Sequence, residues 1–313
     1  MSDKKTYDLA IIGGGPAGLT ASIYASRYNV NNIVISEFMG GLMSEATEIG
    51  NFPSYPKISG QELSQKMQDH AFKSLDGISK FGRVNNINKE KENFKLMLDN
   101  DEEILAKAII ITTGTKHNKL NIKGEKEFAG KGVSYCATCD AFFYKDKTAA
   151  VVGGGNAALT SALHLAKVAK KVYIIHRRDK FRGEKYWLNK AQNTDNIEFI
   201  LNSNVKEIAG DDKANKLILD PKKEIEIDGV FITIGTKPSL NFNSNFDLDL
   251  DKKGYIKVDA GMNTNIKGVF AAGDVSNGSN HFKQIVTSMA EGSIAANSAY
   301  EYIQQDKEDM DYQ

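Results

Sequence analysis

The chain has 313 residues, 41% of them apolar, and its 40 acidic residues balance 40 basic ones. That length suits two domains of ordinary size with a substantial core, and the cancelled charge leaves no net field to draw the molecule to nucleic acid or to an anionic membrane. The polar start, Met1 to Tyr7, runs into the short apolar stretch Leu9 to Ile12, too short for a signal-peptide core or a membrane span. Two cysteines, Cys136 and Cys139, exclude a secreted disulfide framework and point to a cytoplasmic redox or metal pair.

Tyr7 to Ile12 reads as a buried strand, Pro16 to Tyr28 as a helix and Asn32 to Ser36 as a second strand, with Gly13-x-Gly15-x-x-Gly18 as the first turn. Glycines so spaced let the backbone approach a pyrophosphate, to which the helix N-terminus offers free N–H groups and its positive dipole end. Glu37, 19 positions after Gly18, stands where an acid accepts from ribose hydroxyls. Asn85 to Asn93 suits an edge hairpin, and Ile111 to Lys116 a last strand that returns to a turn.

Cys136-Ala137-Thr138-Cys139 comes next, followed by Asp140. A structural zinc takes four protein ligands, but there is no second cysteine pair, and histidines 70, 117, 164, 176 and 281 lie at no ligand spacing. Inert buried thiols remain an alternative to the favoured redox-active disulfide. Asp140 is positioned to protonate a departing thiolate if burial favours its neutral form; otherwise it is a surface acid.

The dinucleotide unit then recurs 140 residues on: strand Thr148 to Val152, turn Gly153-x-Gly155-x-x-Ala158, strand Val172 to Ile175. In this register Arg177 replaces Glu37, with Arg178 and Arg182 close by. A carboxylate repels a 2′-phosphate, whereas a guanidinium binds it through paired charge-assisted hydrogen bonds. The first unit therefore suits the adenosine of FAD or NAD, and the second NADPH; the alternative is a solvated basic strand end. Asp211 to Lys223 suits a second hairpin, and Ile232 to Lys237 echoes Ile111 to Lys116. Gly254 to Val258 and Val269 to Ala272 follow as strands ending at Gly273-Asp274, then a close-packed helix from Phe282 to Tyr300 and a frayed tail from Gln304 to Gln313. The fold expected is α/β, two Rossmann-like domains with the second inserted into the first: an FAD-binding domain over 1–116 and 244–313, and an NADPH-binding domain with the cysteine pair over 117–243.

The ordered motifs Gly13-Gly14-Gly15-Pro16-Ala17-Gly18, Thr113-Gly114, Cys136-Ala137-Thr138-Cys139-Asp140, Gly153-Gly154-Gly155-Asn156, His176-Arg177-Arg178-Asp179-Lys180-Phe181-Arg182 and Ala271-Ala272-Gly273-Asp274 span nearly the whole chain. In this order it resembles the low-molecular-weight, bacterial-type thioredoxin reductases, which are FAD- and NADPH-dependent pyridine nucleotide-disulfide oxidoreductases. The resemblance implies FAD on the first domain, held by Gly13, Gly15, Ala17, Gly18 and Glu37, by Gly41, Leu42 and Asn51, and by Thr113 and Gly114. Asp274 would bind the ribityl chain, and Lys283 and Gln284 would lie near the flavin pyrimidine ring. It implies NADPH on the second, held by Gly153, Gly155, Asn156, Ala157 and Ala158 and by His176, Arg177, Arg178 and Arg182.

The resemblance further implies that Cys139 faces the flavin, that Cys136 attacks the disulfide of thioredoxin or a thioredoxin-like protein with Asp140 as acid, and that the protein is a homodimer. The chain departs from the family at Leu42, where Gln is common, at Lys283, where Arg is frequent, and at Ser54, where Gly is usual. Rival readings are a reductase of a different protein, a flavin-bound redox sensor without turnover, and a flavin dithiol oxidase, which has no use for the three arginines.

Overall fold

The computed structural model describes residues 6–46, 48–91, 93–221 and 223–311, with side chains through Gln305. The chain divides into two compact units, one formed by residues up to Lys116 and those from Pro238 onward, the other by His117–Lys237.

Strand β1 (Thr6–Ile12) is an apolar run whose Leu9, Ala10 and Ile11 are fully buried, as suits a strand covered on both faces. Helix α1 (Pro16–Arg27) opens with proline at its first turn, where no N–H is missed. Strand β2 (Asn32–Ser36) pairs parallel with β1, Ala10 against Ile33. Helix α2 (Gly60–Phe72) is capped by Ser59, whose Oγ accepts the Glu62 N–H at 3.1 Å, and β3 (Ile78–Phe81) edges the sheet beyond β2. Strands β4 (Val84–Glu90) and β5 (Asn93–Leu98) form an antiparallel hairpin. Strand β6 (Glu103–Ile111) runs antiparallel to β5 and parallel to β1.

The chain leaves the first unit through β7 (Thr115–His117). Then come β8 (Val133–Ser134), the short α3 (Ala137–Asp140), β9 (Thr148–Val152), α4 (Asn156–Ala166), β10 (Lys171–Ile175), α5 (Lys185–Gln192) and β11 (Ile197–Ile200). An antiparallel meander, β12 (Asn204–Gly210), β13 (Ala214–Asp220) and β14 (Lys223–Glu226), precedes β15 (Gly229–Ile232). The main sheet of this unit has the order β11-β10-β9-β15-β8 and is parallel throughout, the doubly wound arrangement predicted from the repeat. The return crossing, β16 (Thr236–Pro238), pairs with β7.

The chain rejoins the first unit at Pro238 and not at residue 244: Leu240 and Phe242 already pack on that unit's core, and β17 (Asn243–Ser244) lies parallel to β4. The strand predicted at Gly254 to Val258 does not form. Asp251 Oδ1 draws in the N–H groups of Lys253 and Tyr255, Gly254 turns at φ +85°, and Ile256 keeps only isolated bridges to Leu250 and Ser276. Strand β18 (Val269–Ala271) lies beside β6.

Helix α6 (Ile285–Asp311) starts three residues later than predicted because Phe282 is held non-helical, at ψ 86°, and the Thr287 hydroxyl takes up the Phe282 carbonyl at 2.7 Å and the Gln284 N–H at 3.1 Å. Its backbone stays helical to Asp311, through most of the stretch predicted to fray. Ala295, Ala296 and Ala299 meet Ala17, Ala21 and Ala25 of α1 in one core cluster. The helices approach so closely that a Cβ at Gly292 would stand 2.2 Å from the Ala17 carbonyl oxygen. Among the described residues no helix is long and apolar enough to cross a membrane.

One buried charge organises the start of the second unit. Glu125, 3% exposed, accepts the N–H groups of Leu120 at 2.9 Å and Asn121 at 2.6 Å and the Tyr135 O–H at 2.8 Å. Burial and this carboxylate hold the Tyr135 phenol protonated well above its usual range. Glu125→Ala strands three donors, at roughly 1–3 kcal/mol each. We expect the melting temperature, followed by calorimetry, to fall by about 5 °C or more; an unchanged melt would show that other groups satisfy those donors.

Candidate dinucleotide and dithiol sites

In the first unit the glycine turn is locked to the end of β6. The Thr112 hydroxyl lies 3.0 Å from the Ile12 carbonyl oxygen and 2.9 Å from that of Gly13. Gly13 sits at φ +114°, and a Cβ there would meet the Thr112 carbonyl oxygen at 2.4 Å; one at Gly18 would stand 1.9 Å from the Gly13 oxygen. Gly15 differs, since a Cβ on it would meet nothing within 4 Å. The N-terminus of α1 has neither a side-chain cap nor an acidic residue in its first turn, so the helix itself leaves its first N–H groups, at Ala17 and Gly18, without an acceptor.

The other FAD candidates of this unit are drawn together unevenly. Gly40 donates its N–H to the Gly14 carbonyl at 2.7 Å, and a Cβ on Gly41 would lie 3.3 Å from the Gly15 Cα, so the loop carrying Leu42 arches against the turn. Glu37 follows β2 and is exposed, with Arg83 at 3.8 Å. Thr113 has a buried hydroxyl without a partner, and Gly114, at φ +60°, has open space at its Cβ position. Asn51 donates to the Gln284 side chain at 3.0 Å, joining residues 233 positions apart. Ser54 sits at φ +73°, which explains the usual glycine there and carries a backbone cost of roughly 1–2 kcal/mol.

Asp274, after β18, accepts from Ser288 Oγ at 3.2 Å. Burial pushes its carboxyl above the usual range, with Lys283 opposing. Burial likewise lowers Lys283, opposed by Asp274 and Glu291; its ammonium donates to the Ser276 carbonyl and lies 4.9 Å from the Tyr255 ring centre. Glu291, 4% exposed, accepts the Gly273 N–H at 2.7 Å and the Ser276 O–H at 3.1 Å. Sequence reasoning missed it, though a lone acid among the small residues of α6 was the available signal.

The second unit repeats the device. The Thr233 hydroxyl donates to the Val152 carbonyl at 3.0 Å, and a Cβ on Gly153 would stand 2.3 Å from the Thr233 carbonyl oxygen. Gly155 is open like Gly15, and α4 begins without a side-chain cap. Asn156 turns to Glu184, accepting its N–H at 2.7 Å and donating to its carboxylate at 2.8 Å. Ala157 is exposed and Ala158 buried.

The His176 ring lies beneath the turn: a Cβ on Gly154 would meet it at 2.2 Å, and Nε2 stands 3.1 Å from the Lys180 carbonyl oxygen. Burial, aided by the nearby arginines, lowers its affinity for a proton, so a neutral imidazole donates to that carbonyl and braces the loop. The Arg182 N–H in turn reaches the Gly154 carbonyl at 2.8 Å. Arg177, Arg178 and Arg182 are exposed, and none forms an ion pair among the described residues.

Cys136 and Cys139 form a disulfide spanning α3, with Cα atoms 5.4 Å apart. Cys136 caps the helix, its sulfur accepting the Cys139 N–H at 3.1 Å. Asp140 accepts from Ser134 Oγ at 2.6 Å. One residue further on, Phe142 and Phe143 are 79% and 67% exposed, an aromatic pair that sequence reasoning passed over although it lies close to the motif.

The open cradles at Gly15, Gly114 and Gly155, the uncapped helix ends and the unpartnered Thr113 hydroxyl fit two dinucleotides. The exposed acid Glu37 follows the strand beside the first turn, and the exposed arginines follow the strand beside the second. Gly15 has extended backbone that alanine adopts. Gly15→Ala should therefore fold normally yet fill the cradle, and its absorbance ratio at 450 and 280 nm should show purified protein depleted of flavin. Wild-type flavin content would mean that the pyrophosphate lies elsewhere.

The sequence profile of the pyridine nucleotide-disulphide oxidoreductases matches residues 7–292. The thioredoxin reductase of Bacillus subtilis (strain 168) is 38% identical over 317 residues, covering 99% of each chain. The crystal structure of Lactococcus lactis thioredoxin reductase matches with a TM-score of 0.90 at 37% identity, over 96% of this chain and 99% of that one. That of the T. acidophilum enzyme matches at 0.88 and 36%, over 95% and 98%. With its paired glycine turns and the cysteine pair on the inserted unit, the chain belongs to the pyridine nucleotide-disulphide oxidoreductase family, among the bacterial-type thioredoxin reductases.

Proposed function

We propose that this chain is an NADPH-dependent thioredoxin-disulfide reductase, a cytoplasmic homodimeric flavoprotein that passes electrons through Cys136 and Cys139 to thioredoxin or a thioredoxin-like protein. The observation that carries this reading is a cysteine disulfide flanked by an acid and two exposed aromatic rings, on the same unit as a dinucleotide cradle with unpaired arginines. The exposed rings suit docking of a protein more than of a small disulfide.

When bound, NADPH and FAD supply the two electrons that open the Cys136 to Cys139 bond. The Cys139 N–H faces Cys136 Sγ and favours the thiolate there. Cys136 Sγ bonds to one sulfur of the partner disulfide as the partner's S–S bond breaks, and Asp140 gives the departing sulfur a proton. Cys139 then attacks Cys136 Sγ, its proton returns to Asp140, and the released second sulfur takes up from solvent the equivalent of the proton Cys136 lost. The enzyme disulfide is restored and the partner carries two thiols. Well-matched potentials make the exchange readily reversible, with about 30 mV worth about 1.4 kcal/mol.

Two measurements test the reading. Cys136→Ser should abolish reduction of thioredoxin while NADPH still bleaches the flavin; retained thioredoxin reduction would place the electron path elsewhere. Arg177→Ala with Arg178→Ala removes charge-assisted contacts worth roughly 1.5–3 kcal/mol each. The KM for NADPH should rise by on the order of a hundredfold, with little change for NADH or in kcat at saturation. An equal loss with both coenzymes would instead make the arginines braces of the strand end.

A further inference from the structure

Ser134 ends β8 two residues before Cys136 and is 7% exposed. Its Oγ stands 2.6 Å from Asp140 Oδ2, accepts the Cys136 N–H at 3.1 Å and lies 3.3 Å from the Cys136 carbonyl oxygen. A hydroxyl has one proton to give, and the much shorter contact to the carboxylate takes it. A chain of bonds therefore runs from the Cys136 backbone through Ser134 to Asp140. It fixes the acid relative to the reacting sulfur in a stretch where the helix, of four residues, is too short to do so.

We infer that Ser134 is the positioning residue of the acid: it holds the Asp140 carboxyl by one oxygen and leaves the other to exchange a proton with the sulfurs. This rests on the reading of Asp140 as the acid. The Tyr144 phenol feels the Asp140 charge, and burial together with that charge keeps it protonated.

The test is thioredoxin reduction by the dithiol-reduced holoenzyme in single turnover. Ser134→Ala should lower the rate by about tenfold, and Ser134→Thr, which keeps the hydroxyl, should bring it back. With an activated aromatic disulfide, whose thiolate leaves without a proton, Ser134→Ala should leave the rate unchanged.

An unchanged rate with thioredoxin, or an equal loss with the aromatic disulfide, overturns the proposal. Asp140→Asn separates the two layers. If it leaves the thioredoxin rate unchanged, the assignment of the acid is wrong. If it lowers that rate while Ser134→Ala does not, the acid stands and the role of Ser134 fails.

Discussion

Two carbonyl oxygens, those of Thr112 and Thr233, set how closely each glycine turn lies against the neighbouring strand. A side chain at Gly13 or Gly153 would begin within 2.4 Å of them, far inside van der Waals contact, and would push the strand end and the turn apart. Each threonine hydroxyl then bonds back to the strand before the turn. The start of the following helix is thereby fixed over the carboxyl edge of the sheet, with the first N–H groups left over by the helix, the kind that suit a phosphate. Every other element of the two cradles is placed relative to that contact.

With the backbone devices shared, the two units differ in the side chains at the end of one strand. In the first unit Glu37 stands there with the exposed Arg83 3.8 Å away. In the second, the buried neutral ring of His176 supports the turn from below and directs the following residues outward, so three guanidiniums reach solvent. The histidine shapes the arginine loop instead of joining it, a division of labour set by burial.

Much of this was legible because periodicity and glycine spacing are local. β1, α1, β2 and their repeats follow from apolar runs and from turns that only glycine allows. The departure at Ser54 was legible as an oddity, and its left-handed φ supplies the reason. What stayed hidden depends on chain contacts distant in sequence: Glu291 closing on Gly273, Glu184 drawing Asn156 away from its own helix end, and Leu240 packing on the first unit before the expected boundary. The failed strand at Gly254 to Val258 was lost to the opposite error, since Asp251 offers the backbone a side-chain partner that outbids a ladder.

The crossings β7 and β16 are hydrogen-bonded to one another. On one side Asn118 donates to the Gly235 carbonyl at 2.9 Å, and on the other Ser239 donates to the Gly114 carbonyl at 3.0 Å. The inserted unit thus begins and ends at one stalk, so its removal leaves the host with two chain ends already side by side. A single short join heals the host, and the same join in reverse accepts a foreign insert. Such a stalk is a natural point for gene fusion and exchange, where a sequence coding for one nucleotide-binding module enters another without disturbing the sheet of either.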